Sequence, residues 1–277
     1  MAGSVTFHCG DAADVLATLP PGSAQCVVTS PPYYAQRDYG VAGQIGREMT
    51  PAEYVASLRR VFTALWPVLR DDGILWLNMG DTYSTRNAHG FKRKALLGMP
   101  WRVALDLQDA GWWLRTDIIW KKPNVMPQPV RDRPTTEHEY VFMLTKAERY
   151  FWNADAAREP AIGADRVRND RFGGTKYREG VKHSDGSVFV QAKERNIRTV
   201  WTIPTTPYRG AHYATFPPEL ARRCVALGSR EGDTVLDPFG GSGTVAMVSR
   251  DMCRDAIHID IDPESESLAR QRMADSR

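Results

Sequence analysis

The chain is expected to fold as an α/β protein, with a sheet covered by helices on both faces. Apolar runs of strand length alternate with segments of helical period along most of it. A glycine-rich turn joins one such strand directly to a helix. The composition is that of an ordinary globular protein: of 277 residues, 42% are hydrophobic and 25% charged, enough to bury a large core without staples.

The elements follow in order. Residues 25–29 (QCVVT) read as a buried strand that stops at Ser30-Pro31-Pro32, because two prolines cannot continue a hydrogen-bond ladder. Thr50, Pro51 and Glu53 have capping-box spacing, with proline at the first helical position. Tyr54, Val55, Leu58, Val61, Phe62, Leu65 and Leu69 then recur at helical period. Asp71-Asp72-Gly73 is expected to close that helix before a strand over 74–78. A helix over 99–110 and strands over 113–120 and 138–145 come next. From 154 to 209 the pattern lapses into Gly, Arg, Asn, Asp and Ser. A structureless loop of that length is unusual in a compact domain, so an inserted functional region is expected. Order returns with a helix in FPPELARRCVALG, a strand over 234–236, a helix over 244–252, a strand over 255–260 and a helix over 263–273.

Composition narrows the function classes. No run approaches ~18 apolar residues, so no membrane span is expected. The first residues lack the basic flank and apolar stretch of a signal peptide. Cys9, Cys26, Cys224 and Cys253 form no C-x-x-C pair, which argues against a structural metal or a disulfide framework and for a reducing cytoplasm. Net charge is +3 but uneven: residues 86–133 carry ten Lys+Arg against four Asp+Glu, residues 153–211 eleven against seven, and both ends are net acidic. A basic middle raises the prospect of a polyanionic partner, although a solvated face is the commoner reason for such a block.

Two stretches carry chemistry. In the first, VLDPFGGSGT, a strand enters a glycine turn and then a helix whose N-terminal amides face the turn. The next strand ends at Asp260, where an acid can accept hydrogen bonds from a ribose diol. Neither Gly-x-Gly-x-x-Gly nor the Gly-x-x-x-x-Gly-Lys phosphate loop is present. The turn opens with an acid, Asp237, which repels phosphate and suits a cationic amino-acid group. S-adenosylmethionine has adenosine, ribose diol and ammonium and no phosphate, so it is the expected cofactor. The second stretch is TSPPYY, residues 29–34, at the end of the first strand.

With TSPPY at 29–33 ahead of DPFGGSGT at 237–244 and a long basic middle between them, the chain resembles the amino-directed DNA methyltransferases of the circularly permuted beta group. The resemblance covers nearly the whole chain apart from about 154–198. It implies a Rossmann-like S-adenosylmethionine-dependent methyltransferase fold, a mixed, mostly parallel sheet with an inserted target-recognition region. The division it suggests is a catalytic half over 1–152, the insert over 153–211 and a cofactor-binding half over 212–277. It assigns the cofactor to Asp11 near the adenine, Phe216 closing the pocket, the turn Asp237, Pro238, Phe239, Gly240, Gly241, Ser242, Gly243 and Thr244, and Asp260. Ser30 and the Pro31 carbonyl become acceptors for the two N–H bonds of an exocyclic amine, Pro32 stiffens the turn, and Tyr33 stacks on a base flipped out of double-stranded DNA. Tyr34 reads better as packing.

Within the family, Ser-Pro-Pro-Tyr is associated mostly with the N4 amino group of cytosine, which favours cytosine over the alternative, adenine N6. An RNA or protein methyltransferase and an inactive DNA-binding homologue are more distant readings. No Pro-Cys occurs, which sets aside cytosine C5 chemistry. Lys121, Lys122, Arg166, Arg168, Arg171, Lys176, Arg178 and Lys182 are candidates for DNA contact. Asp81 suits either the target pocket or a loop cap, and His138 and His212 read as structural. A cognate restriction endonuclease and a bacterial or phage-infected cytoplasm fit the resemblance. The recognition sequence, and the choice between monomer and homodimer, are open from one chain.

Overall fold

The computed structural model describes residues 2–161, 194–205 and 217–275. The chain divides into two compact units, Met1–Asn153 with Thr199–Arg277, and Ala154–Arg198. In chain order the elements are β1 (Val5–Cys9), α1 (Ala12–Leu16), β2 (Ala24–Thr29), α2 (Pro51–Val68), β3 (Leu69–Met79), α3 (Met99–Asp109), β4 (Trp113–Lys121) and β5 (His138–Thr145). They continue with β6 (Arg158–Pro160), β7 (Glu194–Asn196), β8 (Val200–Thr202), α4 (Pro218–Gly228), β9 (Thr234–Asp237), α5 (Thr244–Asp251), β10 (Asp255–Asp260) and α6 (Glu264–Asp275).

The larger unit is built on an eight-stranded sheet in the order β1-β10-β9-β2-β3-β5-β4-β8. Its neighbours pair in parallel except at β5, which runs against both β3 and β4. The smaller unit holds the antiparallel pair β6–β7. The short β8 pairs with β4 in the main sheet, so Val200–Thr202 belong to the larger unit although they fall within the 153–211 span expected as insert.

Burial on both faces explains why β2 reads as a continuous apolar run. Val27, Leu75 and Leu77 share a core cluster with Leu16, Leu58, Phe62 and Val103 of α1, α2 and α3. Cys26 and Trp76, one residue out of phase, face the other way and meet Gly228 at the end of α4. Helices therefore cover both faces, as expected.

The capping box forms as the spacing predicts: Thr50 Oγ1 accepts from the Glu53 amide at 3.1 Å, and Glu53 Oε2 accepts from the Thr50 amide at 3.0 Å. The far end of α2 departs from expectation. Asp71-Asp72-Gly73 does not terminate the helix; the helix ends at Val68, and those residues lie inside β3. Leu69 is fully buried and pairs with Ala24, so the chain turns into the sheet as soon as that side chain reaches the core. A Cβ on Gly73 would stand 2.5 Å from Leu69 Cδ1, so glycine is what lets the strand pass. The periodicity did not reveal β1, which forms the sheet edge beside β10, or α1, whose Ala12, Ala13 and Leu16 join the core cluster with α2.

Candidate active site

Register brings the two motifs together. β2 and β9 are neighbours with Cys26 opposite Val235 and Val27 opposite Leu236, so both C-terminal ends open onto one sheet edge. There Thr29 Oγ1 donates to Asp237 Oδ1 at 2.7 Å, joining residues 208 apart in sequence. β10 ends beside them at Asp260, and β3 brings Asn78 to the same edge. Because β5 is reversed, its start rather than its end arrives there, and it carries Glu139. This edge is where open α/β sheets hold their ligands.

A cavity of about 970 Å³ occupies the crevice. Its walls include Ser30, Pro31, Pro32 and Tyr33 on one side and Asp237, Pro238, Phe239, Gly240, Gly241, Ser242, Thr244 and Asp260 on the other, with Asp11 and Lys122. Gly243 is the left-handed N-cap of α5, φ 75°, behind the cavity. A Cβ on Gly240 would stand 2.1 Å from the buried His258 ring, so only glycine lets the turn lie against β10.

Asp237 is 6% exposed, and its hydrogen bonds come from the Thr29 hydroxyl and the Phe239 amide. Desolvation pushes its carboxyl up to about 7, against the downward pull of those two donors. Asp260 Oδ2 accepts from the Gly241 amide at 2.7 Å and Oδ1 from the Asp262 amide at 2.9 Å, so this acid also holds the turn. Asp11 Oδ1 caps α1 through the amides of Ala13 and Asp14, while Oδ2 pairs with Arg60 at 2.6 Å. Burial raises the Asp11 carboxyl, but the Arg60 and backbone donors outweigh it and hold it below its ordinary value.

The Ser-Pro-Pro-Tyr stretch is fixed from several directions. Tyr54 Oη donates to the Pro32 carbonyl at 2.9 Å. Tyr34 is buried, packs on Tyr54 at 5.5 Å between ring centroids, and donates to the Met49 carbonyl. Tyr33 Oη donates to Glu139 Oε2 at 2.6 Å and lies 3.2 Å from Ser30 Oγ. Asn78 Nδ2 is 3.2 Å from Ser30 Oγ, 2.8 Å from Tyr33 Oη and 2.9 Å from Glu139 Oε2. Glu139 Oε1 takes the Lys122 ammonium, which also sits 4.4 Å over the Trp120 ring. Desolvation, then the Glu139 charge, push the Tyr33 hydroxyl well above the ordinary tyrosine range.

Other expected residues fall differently. Lys122 is largely buried against Glu139 rather than displayed as an exposed phosphate contact, and Lys121 pairs with Glu137 at 3.5 Å. Asp81 resolves to a cap, its Oδ1 accepting from the amides of Thr82 and Met99. His138 stacks edge-on against Tyr140. Phe216, His212 and the insert residues Arg166, Arg168, Arg171, Lys176, Arg178 and Lys182 lie outside the described residues. Sequence reading missed Asn78, Glu139 and Arg272; the last donates to Ser242 Oγ at 2.7 Å and Thr244 Oγ1 at 2.6 Å, clamping the turn from α6. Polar residues at strand ends, Asn78 before Gly80 and Glu139 at the head of HEYVFMLT, were the available signal. Among the described residues no cluster of His, Cys, Asp and Glu could hold a metal, and no helix is long and apolar enough to cross a membrane.

Comparison with known proteins bears on family and fold. The N6/N4 methyltransferase family, described as DNA methylase, matches residues 24–271. The Type II methyltransferase M.XycI of Xanthomonas campestris pv. cyanopsidis is 44% identical over 98% of this chain and 88% of its own length. M.Cfr9I of Citrobacter freundii is 42% identical over the same shares. Among solved structures, the Thermus thermophilus protein TTHA0409, complexed with S-adenosyl-L-methionine, superposes with a TM-score of 0.65 at 28% identity, covering 98% of this chain and 95% of that one. The PvuII DNA methyltransferase (cytosine-N4-specific) superposes at 0.70 with 18% identity, over 99% and 92%, and shows the shared fold.

Proposed function

The chain belongs to the N6/N4 DNA methylase family, and on that premise we propose that it methylates the N4 amino group of cytosine in double-stranded DNA. The observation that carries the reading is the single cavity shared by Ser30-Pro31 and the Asp237 turn, bridged by the Thr29–Asp237 hydrogen bond.

The residues present fit S-adenosylmethionine. Asp237 is a buried carboxylate to which no basic side chain is bonded among the described residues, and it suits an ammonium group. The turn from Gly240 to Ser242 offers close backbone approach, Asp260 would take the ribose diol, and Asp11 borders the place for the adenine. The bound cofactor supplies an electrophilic methyl group.

The protein's own part is to present the nucleophile. The lone pair of an exocyclic amine is delocalised into its ring, so the amine attacks poorly. Two acceptors on its two N–H bonds, Ser30 Oγ and the Pro31 carbonyl, turn that lone pair toward the methyl donor. No donor to the Pro31 carbonyl is present among the described residues, which leaves it free for this work. Pro32 and Tyr54 keep the turn stiff, and the half-buried Tyr33 ring offers a face to the extruded base. The span 153–211 and its basic residues serve target recognition in this reading. A cognate restriction endonuclease and action in a bacterial cytoplasm accompany it.

The test is direct. The protein is incubated with labelled S-adenosylmethionine and mixed-sequence duplex DNA, the DNA is digested, and the labelled nucleoside is identified. N4-methylcytosine is expected; label in adenine N6 would replace the cytosine reading, and absence of label with cofactor bound would remove the activity. Ser30→Ala should abolish transfer while leaving cofactor affinity unchanged; equal loss of both would reassign the residue to holding the fold.

A further inference from the structure

The hydroxyl of Ser30 can serve as an acceptor for a substrate amine only if its own proton points elsewhere. A free serine rotor donates or accepts with equal ease. The cluster behind it removes that freedom, as a count of hydrogens shows. Glu139, ion-paired to Lys122, is a carboxylate that only accepts. The short contact from Tyr33 Oη at 2.6 Å therefore uses the one phenolic proton. Asn78 must turn its amide nitrogen, not its oxygen, toward the same carboxylate, and its two hydrogens serve three oxygens. The remaining contact, Ser30 Oγ to Tyr33 Oη at 3.2 Å, has no hydrogen left except that of serine.

We propose that Glu139 is the positioning residue that sets Ser30 as an acceptor, by drawing a one-way chain of hydroxyls, Ser30 to Tyr33 to Glu139, away from the pocket. This inference rests on the cytosine-amine reading above and deepens it. It also gives Tyr33 a second task through its hydroxyl, beyond the ring face that stacks on the base. The same chain carries off the proton that the amine must shed on gaining a methyl group. That proton passes to Ser30 Oγ as the serine proton moves to Tyr33 Oη and the tyrosine proton to Glu139 Oε2. One proton leaves nitrogen, one arrives on the carboxylate, and no electrons change hands.

Two variants and two measurements test the idea. Glu139→Gln keeps the shape but can present its amide hydrogens to Tyr33 Oη and reverse the chain, while Tyr33→Phe removes the middle link and keeps the ring. A hydroxyl proton given to a carboxylate at this length should appear as a downfield proton resonance. It should be present in the wild type, absent in Tyr33→Phe and moved upfield in Glu139→Gln; an unmoved resonance in Glu139→Gln overturns the chain. This readout needs no turnover, so it decides the network even if the proposed activity fails.

Single-turnover methyl transfer to duplex DNA supplies the second readout. Each variant should slow transfer by roughly 10²-fold, the double variant no further than either alone, with S-adenosylmethionine affinity unchanged. Additive losses, or loss of cofactor affinity in step with rate, would make Glu139 a structural residue and sink the proposal. Wild-type transfer with undiminished transfer by both variants would overturn the inference alone; a wild type that labels no cytosine overturns the function reading instead.

Discussion

Asp237 is a carboxylate whose burial conflicts with its charge. Its folded value, about 7, lies above the ordinary 3.8, so the folded state holds a proton that the unfolded chain has already released between those limits. The residue therefore subtracts stability as pH rises from about 4 to 7, and the full loss is present above 7. Asp237→Asn should accordingly raise the melting temperature of the cofactor-free protein at pH 8 and change it little near pH 4. The same variant should weaken S-adenosylmethionine binding, and wild-type affinity should climb through pH 7 as the carboxylate forms. His258 works in the opposite sense: desolvation lowers its imidazole below 6.5, so stability is lost as pH falls below that value. His258→Phe should flatten that loss in melting scans between pH 7 and 5. Residue types alone marked Ser30 and Asp237 as candidates, since the roles proposed for their two stretches need those side chains. Glu139 and Asn78 carried no such mark, because a polar residue at a strand end becomes meaningful only when other strands bring it partners.

At the scale of elements, the helix starts were the most legible feature. The Thr50–Glu53 box is local, needing only residues three apart, and the structure forms it as the spacing predicts. Thr50→Ala should cost about 1 kcal/mol, seen as a modest drop in the denaturant midpoint, and should leave cofactor affinity unaltered. The end of α2 was misread because Asp-Asp-Gly is a local stop signal, while the actual stop is set by the non-local burial of Leu69. β1 and α1 were missed for a related reason. A five-residue strand at a sheet edge, with intermediate and exposed residues alternating unevenly, has no clear period of its own. The reversed β5 has the largest consequence for the site. Its sequence states that a strand is present but not its direction, and direction alone decides whether Glu139 or Thr145 faces the cavity.

For the whole molecule, the two-faced core sets stability. Phe62 is fully buried in the cluster beneath α1, α2 and α3, so Phe62→Ala should cost about 3–5 kcal/mol, measurable by urea unfolding. Duplex affinity should fall steeply, as a power of salt concentration, if the basic middle meets phosphates; cofactor affinity should barely respond. By itself the sequence determined the α/β class, most elements and the two candidate stretches, the glycine-rich turn after β9 and the Ser-Pro-Pro-Tyr that ends β2. All of these rest on residue type and spacing within short windows. Only the tertiary structure decided which strands are neighbours, which one runs backwards, and hence that Ser30, Asn78, Glu139 and Asp237 share one crevice. Strand pairing is a contest among contacts distant along the chain, settled by burial on both sheet faces, and no local window contains it.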